Sequence, residues 1–521
     1  MQSRRRFLRA AAGSALGLAC GGLLARAARA ADPKRPNILL LMADDMGFSD
    51  IGCYGGETRT PHLDRLAKSG IRFTHFYNNA KCAPTRASLL TGLYDHAVGT
   101  RSLAKGVTLA EVLKAVGYRT LMTGKWHQTG LPTDRGFDRY FGLADGCCNY
   151  WNPGPRREGE PKPGRKRFPR RWGIDDKAFR PWTPPEDFYT TDAFTDYALR
   201  YLDQYGREGK PWLLYVAYTA PHYPLHAWPE DIARYRGKYM KGWDALRQAR
   251  YQRMIRMGLI DPRWKLSPRH PRSKDWDKLP EDEQKAWDLK MAVYAAMIDR
   301  MDQNIGRLLA KLRELGQEEN TLVLFLSDNG GCAENVNNTP DIPPGPVESY
   351  RTVDLPWANA SNTPFRKFKS DDHEGGVATP LIACWPAVIK KGGGLTHQMG
   401  HIIDVMATCL DVSGATYPAE RDGKPVLPLE GKSLLPIFQG KQRDGHEALY
   451  WQFGNSRAVR QGKWKLVADG NGPWELYDME ADRTELHDLA NEHPARAQEL
   501  AALWDAWARR VGARRPKRRK K

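Results

Sequence analysis

The chain has 521 residues, 41% of them hydrophobic and 10% aromatic, and carries a formal net charge of +19. That composition excludes an intrinsically disordered chain, and the length suffices for one large α/β core with an appendage. Beyond the N-terminal stretch, no run is long and apolar enough to read as a transmembrane helix.

Residues 1–30 read as a twin-arginine signal peptide. Ser3-Arg4-Arg5-Arg6-Phe7-Leu8 supplies the arginine pattern, Ala10 to Leu24 a small-residue apolar stretch, and Ala28-Arg29-Ala30 a cleavage site. The stretch is too short and too rich in Ala and Gly to make a comfortable membrane anchor. A lipid anchor on Cys20 is disfavoured by Gly17, where such a signal usually wants Leu. The expectation is export by the Tat translocase to a periplasmic or secreted location.

Asn37 to Met42 is an apolar run of the kind that makes a buried parallel strand, ending in Ala43-Asp44-Asp45. A helix is predicted from His62 to Ser69, stopped by Gly70. Gly117 to Met122 reads as a strand before Gly124-Lys125-Trp126-His127, and Trp212 to Tyr218 as another before Pro221-His222. An amphipathic helix carries Tyr294, Met297, Met301, Ile305, Leu308 and Leu312 on one stripe. It leads into a strand from Thr321 to Leu326, which ends in Ser327-Asp328-Asn329-Gly330-Gly331. Four apolar strands thus each stop at a polar cluster. In open α/β sheets the binding crevice lies beyond the carboxyl ends of the strands, so one sheet edge gathers Asp44, Asp45, Lys125, His127, His222, Asp328 and Asn329.

Trp228 to Lys290 is basic, aromatic and Pro-punctuated, and reads as an insertion near the substrate mouth. Stacking of Trp228, Tyr235, Tyr239 and Trp243 on sugar rings, with Lys238 beside an anion, is one reading; core packing is the other. After Gly440 come the short strand-like runs Ala448 to Phe453, Ala458 to Gln461, Trp464 to Val467 and Glu475 to Tyr477, then a helix from Pro494 to Val511. The expected architecture is a large mixed, mostly parallel sheet sandwiched by helices, with a small C-terminal antiparallel-sheet subdomain. Its catalytic domain spans 34–440 and the subdomain 441–512. Residues 513–521 form a basic tail, read as a solvated end suited to anionic polymers at a cell surface rather than to nucleic acid.

Eight cysteines occur without a CxxC pair, which argues against structural zinc, and their disulfide pairing is open. Cys82-Ala83-Pro84-Thr85-Arg86 is the motif of most interest. The proline and the later Gly92 suit a short helix with Cys82 just before its N-terminus, where amide groups and the helix dipole favour negative charge. Alone, this is equally a buried cysteine in a turn. Asp44-Asp45 and Asp328-Asn329 are alone ordinary turn residues. Together they are hard oxygen donors from two strand ends, which suit Ca²⁺ or Mg²⁺ better than zinc.

On these motifs the chain resembles a sulfatase of the alkaline-phosphatase-like superfamily, from Pro36-Asn37-Ile38 over nearly the whole remaining chain. The resemblance implies that a formylglycine-generating enzyme oxidises Cys82, with Thr85 standing where many members carry Ser. It implies a Ca²⁺ site, with Mg²⁺ as the alternative, made by Asp44, Asp45, Cys82, Asp328 and Asn329. It gives Lys125 a contact to formylglycine and His127 the task of taking its proton, although Gln128-Thr129-Gly130 departs from the usual Leu-Gly. Lys125 and His127 are two apart, so an extended segment would point both to one face. His222 matches the second active-site histidine, and Lys369, five residues before Glu374-Gly375-Gly376, matches the sulfate-binding lysine with unusually acidic neighbours in Asp371 and Asp372. Arg86 is expected to hold the formylglycine oxygen and the metal-bound carboxylates. His226 is read as either a substrate contact or structural, and His373 as structural.

The implied reaction is hydrolysis of a sulfate ester of a carbohydrate or aryl alcohol. One hydroxyl of the hydrated aldehyde attacks sulfur, His222 and Lys369 hold sulfate and protonate the departing alcohol, and His127 deprotonates the second hydroxyl to release sulfate. Two other readings are carried: a formylglycine-dependent phosphodiesterase or phosphonate monoester hydrolase, and a non-catalytic binder of sulfated glycans.

Overall fold

The computed structural model describes residues 35–160 and 169–513. The expected signal peptide, Cys20 and almost all of the basic tail lie outside the described residues. Among the described residues no helix is long and apolar enough to cross a membrane.

The main sheet grows around central strands whose sequences are buried on both faces, with shorter, more exposed strands at its edges. They are β1 (Asn37–Asp44), β2 (Ile71–Phe73), β3 (Arg119–Gly124), β4 (Arg139–Leu143), β5 (Trp172–Ile174), β6 (Lys177–Phe179), β7 (Trp212–Pro221), β8 (Thr321–Ser327), β9 (Leu381–Cys384) and β10 (Gly394–Thr396). Their order across the ten-stranded sheet is β10-β2-β9-β8-β1-β7-β3-β4-β5-β6. The centre, from β8 to β4, is parallel, while β9, β2, β5 and β6 run antiparallel to their inner neighbours. Alternate residues of β1 serve two different cores, as period-2 alternation requires. Leu39, Leu41 and Ala43 pack with Met297, Met301, Ile305 and Leu308 of the long helix Glu281–Glu314. Ile38, Leu40 and Met42 pack with Leu89 and Leu90 of helix Cys82–Thr91 and with Val405 and Met406 of helix Asp404–Ser413. The sheet is thereby covered on both faces.

The C-terminal strands β11 (Leu449–Phe453), β12 (Ser456–Gln461), β13 (Trp464–Ala468) and β14 (Glu475–Asp478) form an antiparallel sheet in sequential order. Helix Pro494–Val511 lays Leu500, Trp504 and Trp507 on Val459, Leu466 and Leu476, and the cluster extends to Tyr94 and Ala97 of the main body.

Several local expectations shift. Helix Pro61–Ser69 ends with Gly70 extended, at φ −125°, rather than left-handed. β3 begins two residues later than the apolar run, because Gly117 takes φ 89° in a turn. The segment 228–290 does not line the cleft that opens above Cys82. It folds into helices Pro229–Ala233 and Gly242–Arg256 and feeds the long helix, burying Tyr235, Tyr239 and Trp243 in the core, with Lys238 over the Tyr235 ring. These aromatics are therefore packing residues: their ring faces are used by the protein and are closed to a sugar.

Candidate active site

Register across the central strands sets the site. Ala43 pairs with Ser327, and Gly124 with Ala217, so the chain leaves β1, β8 and β3 at nearly one level of the sheet. Gly124 adopts φ 100°, and a Cβ there would stand 2.0 Å from the Ala217 carbonyl oxygen, so only glycine turns the chain here and delivers Lys125 inward. Lys125 Nζ donates to Asp44 Oδ2 at 2.5 Å, with both side chains fully buried. Next along β1, Asp45 takes φ 67°, and its carbonyl accepts a hydrogen bond from Tyr294 of the long helix at 3.1 Å. Its carboxylate accepts Lys369 Nζ at 2.6 and 2.7 Å and Asn329 Nδ2 at 2.8 Å, and His222 Nε2 lies 3.5 Å away.

Cys82 is the first residue of its helix, one position further in than the motif suggests, with Lys81 as N-cap. Arg86, one turn on, places Nε and Nη2 on Asp328 Oδ2 at 3.1 and 2.7 Å, and Nη2 is 3.7 Å from Asp44 Oδ2. Lys369 arrives on a loop pinned at two successive amides: its own N–H reaches the Gly331 carbonyl at 3.1 Å, and that of Ser370 reaches the Ala80 carbonyl at 2.8 Å. Asp371 and Asp372 do not pair with Lys369. Asp371 accepts the Phe368 N–H and Asp372 the Phe453 N–H, both at 3.3 Å, and burial pushes both carboxyls up, Asp372 to about 8. His127 follows β3 in a left-handed conformation, φ 59°, so the expectation of an extended Lys125–His127 segment fails. Lys125 turns into the protein and His127 lines the cleft.

His226 is structural. It is fully buried, its Nε2 pairs with the Ser349 carbonyl at 2.7 Å, and its Nδ1 lies 3.3 Å from the Tyr150 amide. His373 is likewise buried, against Glu475 at 3.2 Å. The seven described cysteines are all free thiols.

The electrostatics are those of crowded buried charge. Burial and the adjacent Asp328 push Asp44 up to about 7, against the pull of Lys125. Burial opposes charge on Asp45 too, but His222 and Lys369 outweigh it and hold the carboxyl well below its usual range. Lys369, despite burial, is held well above its usual value by Asp45. His127 is kept well below the ordinary imidazole value by burial, then by Lys125 and Arg101. His222 is pushed the same way by burial, only partly offset by Asp45; its Nδ1 donates to the Tyr223 carbonyl at 2.6 Å. Burial thus favours the neutral form of both rings while the cleft holds no anion.

Asp44, Cys82 and Asp328 bring one ligand atom each within 4.8 Å of one another, as do Asp44, Asp45 and His222. Asp44 Oδ1 and Asn329 Oδ1 are buried with no hydrogen-bond partner. Orphaned buried oxygens cost free energy unless something satisfies them. Carboxylate and amide oxygens at a spot where one carboxyl is driven towards neutrality by another fit a hard divalent cation.

Cys82 forms part of the floor of a cleft of about 760 Å³, whose walls include His127, His222 and Lys369. The same cleft exposes Lys81, Asp95, His96, Arg101, Arg170, Tyr223, Glu334 and Phe453, none of which sequence reasoning singled out. They come from segments far apart in the chain, helix and strand ends as well as loops, and carry no local motif, so no sequence signal marks them.

A mostly parallel sheet with helices on both faces, an acidic cluster at the strand ends and a cysteine at a helix N-terminus beside it define a hydrolase of the alkaline-phosphatase-like superfamily. The sulfatase family model matches residues 36–415, and a C-terminal model of N-sulphoglucosamine sulphohydrolase matches residues 369–506. An arylsulfatase of Klebsiella aerogenes is 32% identical over 82% of this chain and 97% of its own length. An uncharacterized sulfatase of Schizosaccharomyces pombe is 31% identical over 92% of this chain and 95% of its own. Among solved structures, Ps i-CgsB in complex with k-i-k-neocarrahexaose superposes with a TM-score of 0.67 at 25% identity, covering 92% of this chain and 94% of that one. The chain belongs to the sulfatase family and is a sulfuric ester hydrolase.

Proposed function

We propose that the protein cleaves sulfate esters of carbohydrates or aryl alcohols, using Cys82 matured to formylglycine and a Ca²⁺ ion held by Asp44, Asp45, Asp328, Asn329 and residue 82. The observation that carries this reading is Cys82 at a helix N-terminus with its Sγ within 4.8 Å of Asp44 and Asp328 oxygens, beside two orphaned buried acceptors. When bound, the cation supplies Lewis-acid polarisation of the sulfate oxygens. The matured residue supplies a geminal diol, of which one hydroxyl serves as nucleophile and the second allows release of sulfate.

The chain's own residues do the rest. Lys369, kept charged by Asp45, neutralises the sulfate beside His222 on the same wall. Together they meet the negative charge that develops on the departing alcohol oxygen; the charge of the bound sulfate draws a proton onto His222 Nε2, which passes it to that oxygen. His127, its neutral form favoured by burial, is the acceptor for the proton that must leave for sulfate to be expelled. Lys125 and Arg86 hold Asp44 and Asp328 in place while staying buried. Sulfated-carbohydrate specificity draws support from Ps i-CgsB, bound to k-i-k-neocarrahexaose, and from a 22% identical neighbour in complex with its substrate D-glucosamine-2-N,6-O-disulfate.

The test is peptide mass mapping of position 82 in protein from a host that carries the maturation enzyme, paired with turnover of an aryl sulfate against an aryl phosphodiester. Conversion of the thiol to an aldehyde with preference for the sulfate supports the proposal. A persistent thiol in active protein sinks it. Export by the Tat translocase to the periplasm or beyond is part of the same proposal, and loss of export on replacing Arg4 and Arg5 by Lys checks it.

A further inference from the structure

Most cations that line the cleft already face an acid. Lys369 holds Asp45, Lys81 Nζ sits 2.7 Å from Glu334, and His96 Nδ1 lies 3.2 Å from Asp95. Arg170 and Arg101 line the same cleft, and among the described residues neither forms an ion pair. Arg101 reaches His127 Nε2 at 3.3 Å. Arg170 is only 7% exposed, and the contact of its guanidinium is Nη2 to Cys147 Sγ at 3.3 Å, a weak acceptor. Asp145, the acid on the same wall, accepts the Arg171 backbone N–H at 2.7 Å instead. Residues 161–168, just ahead of it in the chain, contain no Asp or Glu.

A guanidinium cannot shed its proton, and withdrawing one from water without a counter-charge is costly. Its planar fork of donors fits a sulfate or carboxylate through two parallel hydrogen bonds. The ester under attack has its charge met at Cys82 by Lys369 and the neighbouring groups. Arg170, from a separate stretch of the cleft lining, is surplus to that task.

We propose that Arg170, assisted by Arg101, is a subsite for a second anionic group, sulfate or carboxylate, on a sulfated saccharide whose other sulfate is the one cleaved. This rests on the sulfate-ester reading above and narrows it to substrates bearing at least two negative charges. The specificity-determining residue is Arg170, and the mono-anionic substrate should be indifferent to it.

The experiment uses matched pairs of probes and calorimetric binding to a Cys82→Ala background, which does not turn over. The sulfate arm compares N-acetylglucosamine 6-sulfate with glucosamine 2-N,6-O-disulfate. The carboxylate arm compares N-acetylgalactosamine 6-sulfate with its disaccharide carrying a β-linked glucuronate. In at least one arm the doubly charged member is expected to bind about tenfold tighter, the scale of a charge-assisted bidentate contact. Adding Arg170→Gln should bring the two members to within about twofold, and Arg170→Lys should retain part of the gap. In matured enzyme, Arg170→Gln should leave aryl-sulfate turnover within about threefold of the parent, as expected for a residue that never touches the reacting atoms. The proposal is overturned if the members of both pairs bind the parent equally, if Arg170→Gln preserves the gap, or if it weakens both members alike. Failure of the sulfate-ester reading would show separately, as matured protein that discriminates the pairs but turns over no aryl sulfate.

Discussion

Arg86 sets both Nε and Nη2 on one oxygen of Asp328, leaving Oδ1 to accept the Asp45 backbone N–H at 3.3 Å. The helix that begins at Cys82, β8 and the end of β1 are thus joined by a single carboxylate. Replacing Arg86 by Ala strands a fully buried negative charge, and a loss of about 3–5 kcal/mol of stability is expected. Denaturant unfolding of the variant beside the parent measures it; a change within error would mean that the pair is not structural.

The two histidines should separate kinetically from the scaffold. His127→Ala and His222→Ala are each expected to lower kcat by about 10²–10⁴-fold, the usual weight of a positioned acid or base, with little change in melting temperature. Steady-state kinetics with an aryl sulfate checks this. His226→Ala should do the reverse and destabilise, because its ring bonds the Ser349 carbonyl deep in the protein.

Chelation offers a test that does not depend on turnover. If a cation satisfies Asp44 Oδ1 and Asn329 Oδ1, its removal should lower the melting temperature as well as abolish activity. Ligand at about 100 times its dissociation constant contributes about 2.7 kcal/mol. Restoration by Ca²⁺ before Mg²⁺ would fix the ion, and a melting curve unmoved by chelator would contradict the site.

Glu374 predicts an acid-sensitive joint between the main body and the C-terminal sheet. Burial opposes its charge, but Lys465 and Arg483, at 2.9 and 2.8 Å, outweigh burial and hold it down to about 2. A folded-state value below the unfolded one means stabilisation fully present above about 4.5 and lost as pH falls towards 2. The stability gap between the parent and Glu374→Gln should therefore close on acidification over that window. Melting curves across the range would show it, and a gap independent of pH would refute it.

Gly124→Ala tests the turn that delivers Lys125. With φ 100° and the Ala217 oxygen 2.0 Å from the added Cβ, the strand end must move, and lost activity with a cost of about 1–3 kcal/mol is expected. A variant of parental stability and rate would show that Lys125 tolerates displacement.

The sequence by itself determined the central strands, the C-terminal antiparallel sheet and the cluster at the strand ends. Apolar runs such as Asn37 to Met42 are long enough to be unambiguous, and each stops at chemically marked residues: Asp44, Lys125, His222 and Asp328. Tertiary structure alone decided what periodicity cannot carry. The left-handed turn at His127 separates it from Lys125, and the aromatics of 228–290 are buried because a long helix covers them. Among the described residues Arg170 faces the cleft without an ion pair, because the nearby Asp145 accepts the Arg171 N–H and Glu334 holds Lys81. Local pattern encodes which faces are apolar; which charges meet is set by long-range packing, to which one stretch of chain is blind.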